Sequence, residues 1–361
     1  MMGKFQDLAI ALAWPEQTAR GDEKWMKVLK DVGIVKNLNF KVGHAAVLLI
    51  QKRTGQVCYY DFGRYICPRG MGRARSVNFD PNLELRTIAV WKNNQLHNLK
   101  EILDEVYAMR KHTHGEGVLY CGLSYFVSFE RAKAYADKVV DRGIIPYGAF
   151  AIKSNNCSRF VAQIMAKGMR NKDSRRKFLL VPNSIKPSPI SNVGYADKQH
   201  VVYTYENGNI QRITMSPKEG LFYLLKQIRD SLKRNRSTLL PRDNVAGEFN
   251  QPLRVTSLPI HAQWLGGIGE GAWWNIKPLG THYVITKFNK IGEKMYEVLA
   301  KSEGFFVHHE AYVFTYNFSV YSHELVQKGS KIKFNTIQIV FTKNKITQNE
   351  TKYLKIENSH G

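Results

Sequence analysis

Cysteine is scarce in this chain. Its four cysteines, Cys58, Cys67, Cys121 and Cys157, are too few and too scattered for a disulfide framework, and none forms a C-x-x-C pair of the kind that holds structural zinc. Acidic residues are also few: 30 Asp and Glu stand against 53 Lys and Arg, a formal net charge of +23. That balance favours anionic partners (nucleic acid, a phospholipid surface or an acidic polymer) without choosing among them. Long apolar runs are missing. The first apolar stretch, Leu8 to Trp14, is short, follows Asp7 and precedes no small-residue cleavage site. Neither a signal peptide nor a membrane span is expected, so the chain reads as cytoplasmic, with export by a route without a cleaved signal as the other course. No internal repeat and no heptad pattern appears, which sets aside solenoids and coiled coils.

What the chain does hold is 43% apolar residues and 12% aromatics, enough for a sizeable core. At 361 residues it exceeds what one core usually serves, so two domains are expected. "DLAIALAWP" reads as a buried strand ended by Pro15. "EKWMKVLKDVGI" has helical spacing that sets Trp25, Val28, Leu29 and Val32 on one side. "KVGHAAVLLIQ" and "QVCYYDFGRY" are apolar and aromatic runs joined by "KRTG", a hairpin signal. "GRYICPRGMGRARS" reads as a loop, and "LRTIAVW" and "YGAFAI" as strands. Helices are expected over "NLKEILDEVYAMRKH", over "SFERAKAYADKVVDRG" with Ser128 as its cap, and from "SNNCSRFVAQIM" onward.

The stretch "VPNSIKPSPISNVGYADKQ" contains Pro182, Pro187 and Pro189 and reads as a linker. A hairpin turning at Asn207-Gly208, one helix and then dense aromatic and β-branched runs follow. The expected architecture is α+β: a first domain over 1–185, a linker over 186–199, and a mostly antiparallel β-rich accessory domain over 200–361.

A thiol is a strong nucleophile only as thiolate, which a helix N-terminus and a neighbouring imidazolium both favour. Cys157 stands in the first turn of a helix behind Asn155 and Asn156, and His44 sits in the apolar strand "VGHAAVLLI". A third group should orient that imidazole. If Gln51 pairs with Gln56, Ala46 faces Asp61, and Asp61 lies diagonal to His44 on the same side of the sheet. A three-residue loop would shift the register by one and offer Tyr60 instead.

"GHAAVLL" and "NNCSRFV", in that order, resemble the circularly permuted branch of the NlpC-type papain-like superfamily, the branch of lecithin:retinol acyltransferase-like proteins. The resemblance covers about residues 40–170. It implies a papain-like first domain with Cys157 as nucleophile, His44 as base and Asp61 as orienting group. The Cys157 backbone N–H would then form part of an oxyanion hole, with Asn156 and Tyr60 in supporting positions. It also implies a Cys-dependent hydrolase or acyltransferase acting on an amide or ester carbonyl, as in cell-wall peptides or lipids, through a thioester and with no cofactor. The whole chain further resembles a two-part bacterial family that joins this region to an "AQWLGGIGEGAWW" segment.

Other features are weaker. Arg64, Arg69, Arg73 and Arg75 suit either a cleft mouth for an anionic substrate or a solvated loop. The glycines of "WLGGIGEGAWW" lack the Lys-Ser/Thr of a phosphate loop and read as a turn packed beneath tryptophans; Trp264 and Trp273 lining a ligand groove is the other reading. His112 with His114, and His308 with His309, have no partners at metal-ligand spacing. The alternative function, from a different class, is an inactive papain-like fold serving as a basic binding protein for nucleic acid or anionic surfaces.

Overall fold

The computed structural model describes residues 5–21, 24–33, 36–41, 43–148, 153–181, 188–232, 239–240 and 249–342. The chain forms two compact units. One comprises Met1–Gly63, Gly70–Ser76 and Leu83–Val245, the other Arg64–Arg69, Val77–Asn82 and Ala246–Gly361. The class is the expected one, α+β followed by antiparallel β.

The first unit is built on β1 (Asp7–Trp14), every residue of which is buried. An unbroken apolar run of this kind belongs at the centre of a sheet covered on both faces. After it come β2 (Thr18–Arg20), α1 (Lys24–Asp31), β3 (Asn39–Lys41), β4 (His44–Ile50), β5 (Val57–Gly63), β6 (Met71–Arg75), β7 (Trp91–Lys92) and β8 (Gln95–Leu96). Then follow α2 (Leu99–Ala108), α3 (Arg110–Thr113), β9 (Leu119–Val127), α4 (Phe129–Asp141), β10 (Ile144–Pro146), α5 (Cys157–Gly168), α6 (Arg175–Leu180), α7 (Pro189–Gly194), β11 (Val201–Glu206), β12 (Asn209–Thr214) and α8 (Pro217–Leu232). The main sheet runs β10-β6-β5-β4-β1-β9-β11-β12. Ala9, Ala11, Val47 and Phe62 pack on α4, α5 and α7 on one face, while Leu8, Ile10, Leu48 and Tyr59 meet α2 on the other.

Several expectations change here. The stretch expected as a linker carries α7, whose Pro189 stands at the helix start, where a missing N–H removes no bond. Ile190 and Val193 of α7 are buried, and Val193 O sits against Gly122 of β9. β11 pairs with β9, so residues 201–214 extend the first sheet, and the compact units divide after Val245 rather than at 186–199. Residues 182–187, with Pro182 and Pro187, and residues 149–152 of "YGAFAI" lie outside the described residues. "LRTIAVW" is not a strand over its first six residues: its backbone N–H groups at Arg86, Thr87 and Val90 are taken by the side chains of Glu105 and Asn98. On α1, Met26 and Leu29 pack inward, whereas Val28, and Val32 just past the helix, are exposed.

The second unit is one antiparallel sheet of β13 (Gln263–Gly266), β14 (Gly271–Leu279), β15 (His282–Phe288), β16 (Lys294–Ser302), β17 (Val313–Phe318), β18 (Ser322–Gln327) and β19 (Ser330–Thr342). Its order, β13-β14-β15-β16-β19-β18-β17, brings the two ends together. The Gln263 side chain closes the seam: its Nε2 donates to Tyr312 O at 2.8 Å and its Oε1 accepts from Phe314 N at 2.9 Å. The sheet is thus nearly a barrel. Ile66 and Phe79, from the two short N-terminal segments, belong to its core. The glycines of the β13–β14 hairpin serve close approach. A Cβ on Gly267 would lie 1.8 Å from Tyr65 O, and Gly269 N donates to Arg64 O at 2.7 Å.

Candidate active site

His44 opens β4 directly after Gly43, whose φ of +79° suits glycine and whose N–H is bound by Gln17 O. β4 pairs with β1 so that Trp14 faces His44, and the two rings stack 5.9 Å apart at 19°. On the other side, β5 is in the register Ala46↔Asp61, one of the two that the hairpin sequence allowed. The carboxylate of Asp61 accordingly reaches back to His44, Oδ2 lying 3.4 Å from Nε2. Tyr60 points to the opposite face and donates to Asp137 of α4 at 2.7 Å, so it stands outside the site.

Cys157 opens α5. Asn156 caps the helix: its Oδ1 accepts from Arg159 N at 2.8 Å, and its Nδ2 donates to Gly148 O at 3.2 Å. Asn156 is thereby a cap that fixes the backbone at Cys157. The His44 ring and the Ala45 backbone N–H both lie close enough to the Cys157 thiol to favour its ionised form. Burial opposes ionisation of the thiol, but the imidazole and the Ala45 N–H outweigh it and bring its pKa below the ordinary value. For His44 burial again opposes charge. Asp61 and Cys157 outweigh it and raise the pKa to about 9. Both shifts favour a thiolate–imidazolium pair.

The anchor of this arrangement is Arg75 on β6. Arg75 and Asp61 are both fully buried. The guanidinium forks onto the carboxylate, Nε to Oδ1 at 3.0 Å and Nη2 to Oδ2 at 2.6 Å, and Tyr59 OH donates to Oδ2 at 3.0 Å. Burial alone would push the Asp61 pKa up; Arg75 and His44 together hold it well below the carboxylate range.

Arg75 is therefore not a cleft-mouth residue. Arg73 is also buried, on the same strand. The expected arginine loop is in part β6, because a buried carboxylate gives Arg75 an interior place. Arg64 and Arg69 belong to the other unit, where Arg69 lies over the Phe249 ring. Trp273 is fully buried and Trp264 half-buried; they stack edge to face 5.3 Å apart in a cluster with Leu258 and Phe288, as core rather than groove. A cleft of about 410 Å³ opens in the first unit, lined by Glu16, Lys41, Tyr223 and Lys226 among others. Lys41 is three residues before His44 and Glu16 two after Trp14. Among the described residues no group of His, Cys, Asp or Glu is placed to hold a metal ion.

Residues 9–174 match the family of type VI secretion system effector TseH-like proteins. Residues 262–337 match a second family, the DUF6695 C-terminal domain. The crystal structure of the type VI secretion system effector TseH aligns with 57% of this chain and 97% of its own, at 20% identity and a TM-score of 0.38. No curated protein matches the chain. Among the described residues no helix is long and apolar enough to cross a membrane.

Proposed function

We propose that the first unit is a Cys-dependent hydrolase or acyltransferase that attacks an amide or ester carbonyl. The observation that carries this is the His44 imidazole bonded to Asp61, which Arg75 backs, beside a Cys157 thiol whose ionised form that imidazole favours. Nε2 of His44 faces Asp61, which leaves Nδ1 for the thiol. The Cys157 thiolate adds to the carbonyl carbon. The imidazolium then gives its proton to the leaving amine or alcohol as the thioester forms, and the neutral ring next takes a proton from water or an acceptor that resolves the thioester. Asp61, fixed by Arg75 and Tyr59, holds the ring through both steps. The Cys157 backbone N–H, at the start of α5, is the candidate donor to the oxyanion. The His-before-Cys order along the chain fits the permuted, lecithin:retinol acyltransferase-like branch. The TseH-like match supports a papain-like effector, and an effector role fits export without a cleaved signal.

The test is acyl trapping. Incubation with p-nitrophenyl butyrate is expected to add one butyryl group, removable by hydroxylamine, to the Cys157 peptide. Cys157→Ala should abolish it and His44→Gln should slow it. Butyrylation unchanged in Cys157→Ala would overturn the reading.

A further inference from the structure

The core of the C-terminal barrel contains polar side chains where apolar ones would be expected. Lys287 on β15 is the direct cross-strand partner of Trp274 on β14 and of Tyr296 on β16. These positions alternate in phase with Ile276, Ile285 and Val298, which face the core. Lys287 is only 5% exposed. Its Nζ lies 5.8 Å from the ring centroids of Phe79 and Trp274 and 5.9 Å from that of Tyr296. Aromatic faces attract an ammonium, but they do not replace an acceptor, and among the described residues no carboxylate meets this one. A buried charge without a counter-ion is costly.

Two more donors are left over in the same layer. Trp274 Nε1 and His323 Nδ1 are buried, and neither has a partner among the described residues. The Trp274 and His323 rings lie 5.4 Å apart, and His323 is 1% exposed. Its Nε2 is 3.1 Å from Tyr296 OH. With that hydroxyl donating to Nε2, the ring proton sits on Nδ1. Burial and the nearby Lys287 ammonium hold the His323 pKa down to about 3, so the ring is neutral. Buried donors are nearly always matched in folded proteins. Two buried N–H groups without an acceptor, and in the same layer an ammonium that no carboxylate among the described residues meets, share a single missing element: an acceptor.

We propose that the barrel interior binds a small monoanion, with Lys287 supplying the charge and Trp274 Nε1–H and His323 Nδ1–H the hydrogen bonds. One cation beside a neutral imidazole balances one negative charge, which favours a carboxylate over a dianionic phosphate. Phe318 and Phe314 lie 4.5 and 6.0 Å from the Trp274 ring, so the body attached to the carboxylate is apolar or aromatic.

The test uses the full chain and benzoate as probe, with benzamide as its neutral isostere and inorganic phosphate as the dianion. Benzoate is expected to raise Tm saturably and to shift one indole ¹⁵N–H resonance, the one missing from Trp274→Phe; benzamide and phosphate should do neither. Lys287→Met should lose the response, and the exposed control Lys331→Met should keep it. Trp274→Phe, which loses one neutral hydrogen bond, should weaken benzoate roughly fivefold. Equal responses to benzoate and benzamide, or a benzoate response kept in Lys287→Met, would overturn the site. Phosphate binding as tightly as benzoate would overturn the monoanion assignment. Should Lys287→Met not fold, Trp274→Phe decides, and unchanged benzoate affinity there overturns the proposal.

Discussion

If Cys157 and His44 form an ion pair, the thiol should be alkylated at a pH where ordinary thiols are inert. A free thiol with a pKa of about 8.5 is thiolate about once in three hundred at pH 6. Burial pushes the Cys58 thiol up to about 11, which leaves about one in a hundred thousand ionised at pH 6. Burial raises Cys121 further. Cys157, shifted the other way, gains up to about 300-fold in thiolate over a free thiol. A less basic thiolate is also a weaker nucleophile, so the gain in rate is smaller than the gain in thiolate. At pH 6 Cys157 should therefore label faster than a free thiol, by less than about 300-fold, and His44→Gln, which keeps the side-chain volume, should lose that advantage. The assay is iodoacetamide labelling followed by peptide mass spectrometry between pH 5.5 and 9. In the native protein Cys157 should label first, with a rate that climbs less steeply with pH than an ordinary thiol's up to the His44 pKa of about 9. In His44→Gln the rate should climb about tenfold per pH unit towards pH 8.5. A native rate that climbs in the same way, or equal labelling of Cys157 and Cys121 at pH 6, would refute the ion pair.

Other outcomes follow from the same geometry. Arg75→Met leaves Asp61 buried opposite an imidazolium alone and should cost about 3–5 kcal/mol in urea unfolding, with the Asp61→Asn/Arg75→Met double variant costing less than the two singles summed. Gly43→Ala places a Cβ 2.9 Å from Pro15 Cα at a φ of +79°, so it should lower Tm and slow Cys157 labelling together. His44 has a folded pKa above its ordinary 6.5, so its stabilising contribution is complete below that value and lost as pH rises through about 9; the stability gap between native protein and His44→Gln should close over that interval. Residues 249–342 expressed alone lack Ile66 and Phe79 of their own core and should show no cooperative thermal transition, unlike the full chain.

Much of the candidate site was legible in the sequence. The "KRTG" turn made Asp61 one of two candidates for the third residue, and the observed register of β4 and β5 sets it diagonal to His44. Asn156 and Ser128 both cap their helices, as short polar residues ahead of apolar periodicity do. What escaped was Arg75. "MGRAR" carries two basic residues and a glycine in five and shows no strand alternation, because its partner carboxylate is fourteen residues away on the neighbouring strand. The α7 segment escaped for the opposite reason: prolines signal a break, yet Pro189 starts a helix. Lys287 and His323 gave no signal either, since an inward polar residue on a strand looks like an outward one until the barrel closes.

The crossing of the chain between its two units also sets a timetable. Ile66 and Phe79 leave the ribosome long before β19, the last strand of the core they join, ends at Thr342. At 5–20 residues per second, the roughly 260 residues after position 82 take about 10–50 s to appear. Throughout that interval the nascent first unit carries two apolar loops whose partners do not yet exist. A translational pause after residue 82 would lengthen that exposure. A chaperone that shields short aromatic segments would therefore act on this protein during synthesis, before its C-terminal barrel can close.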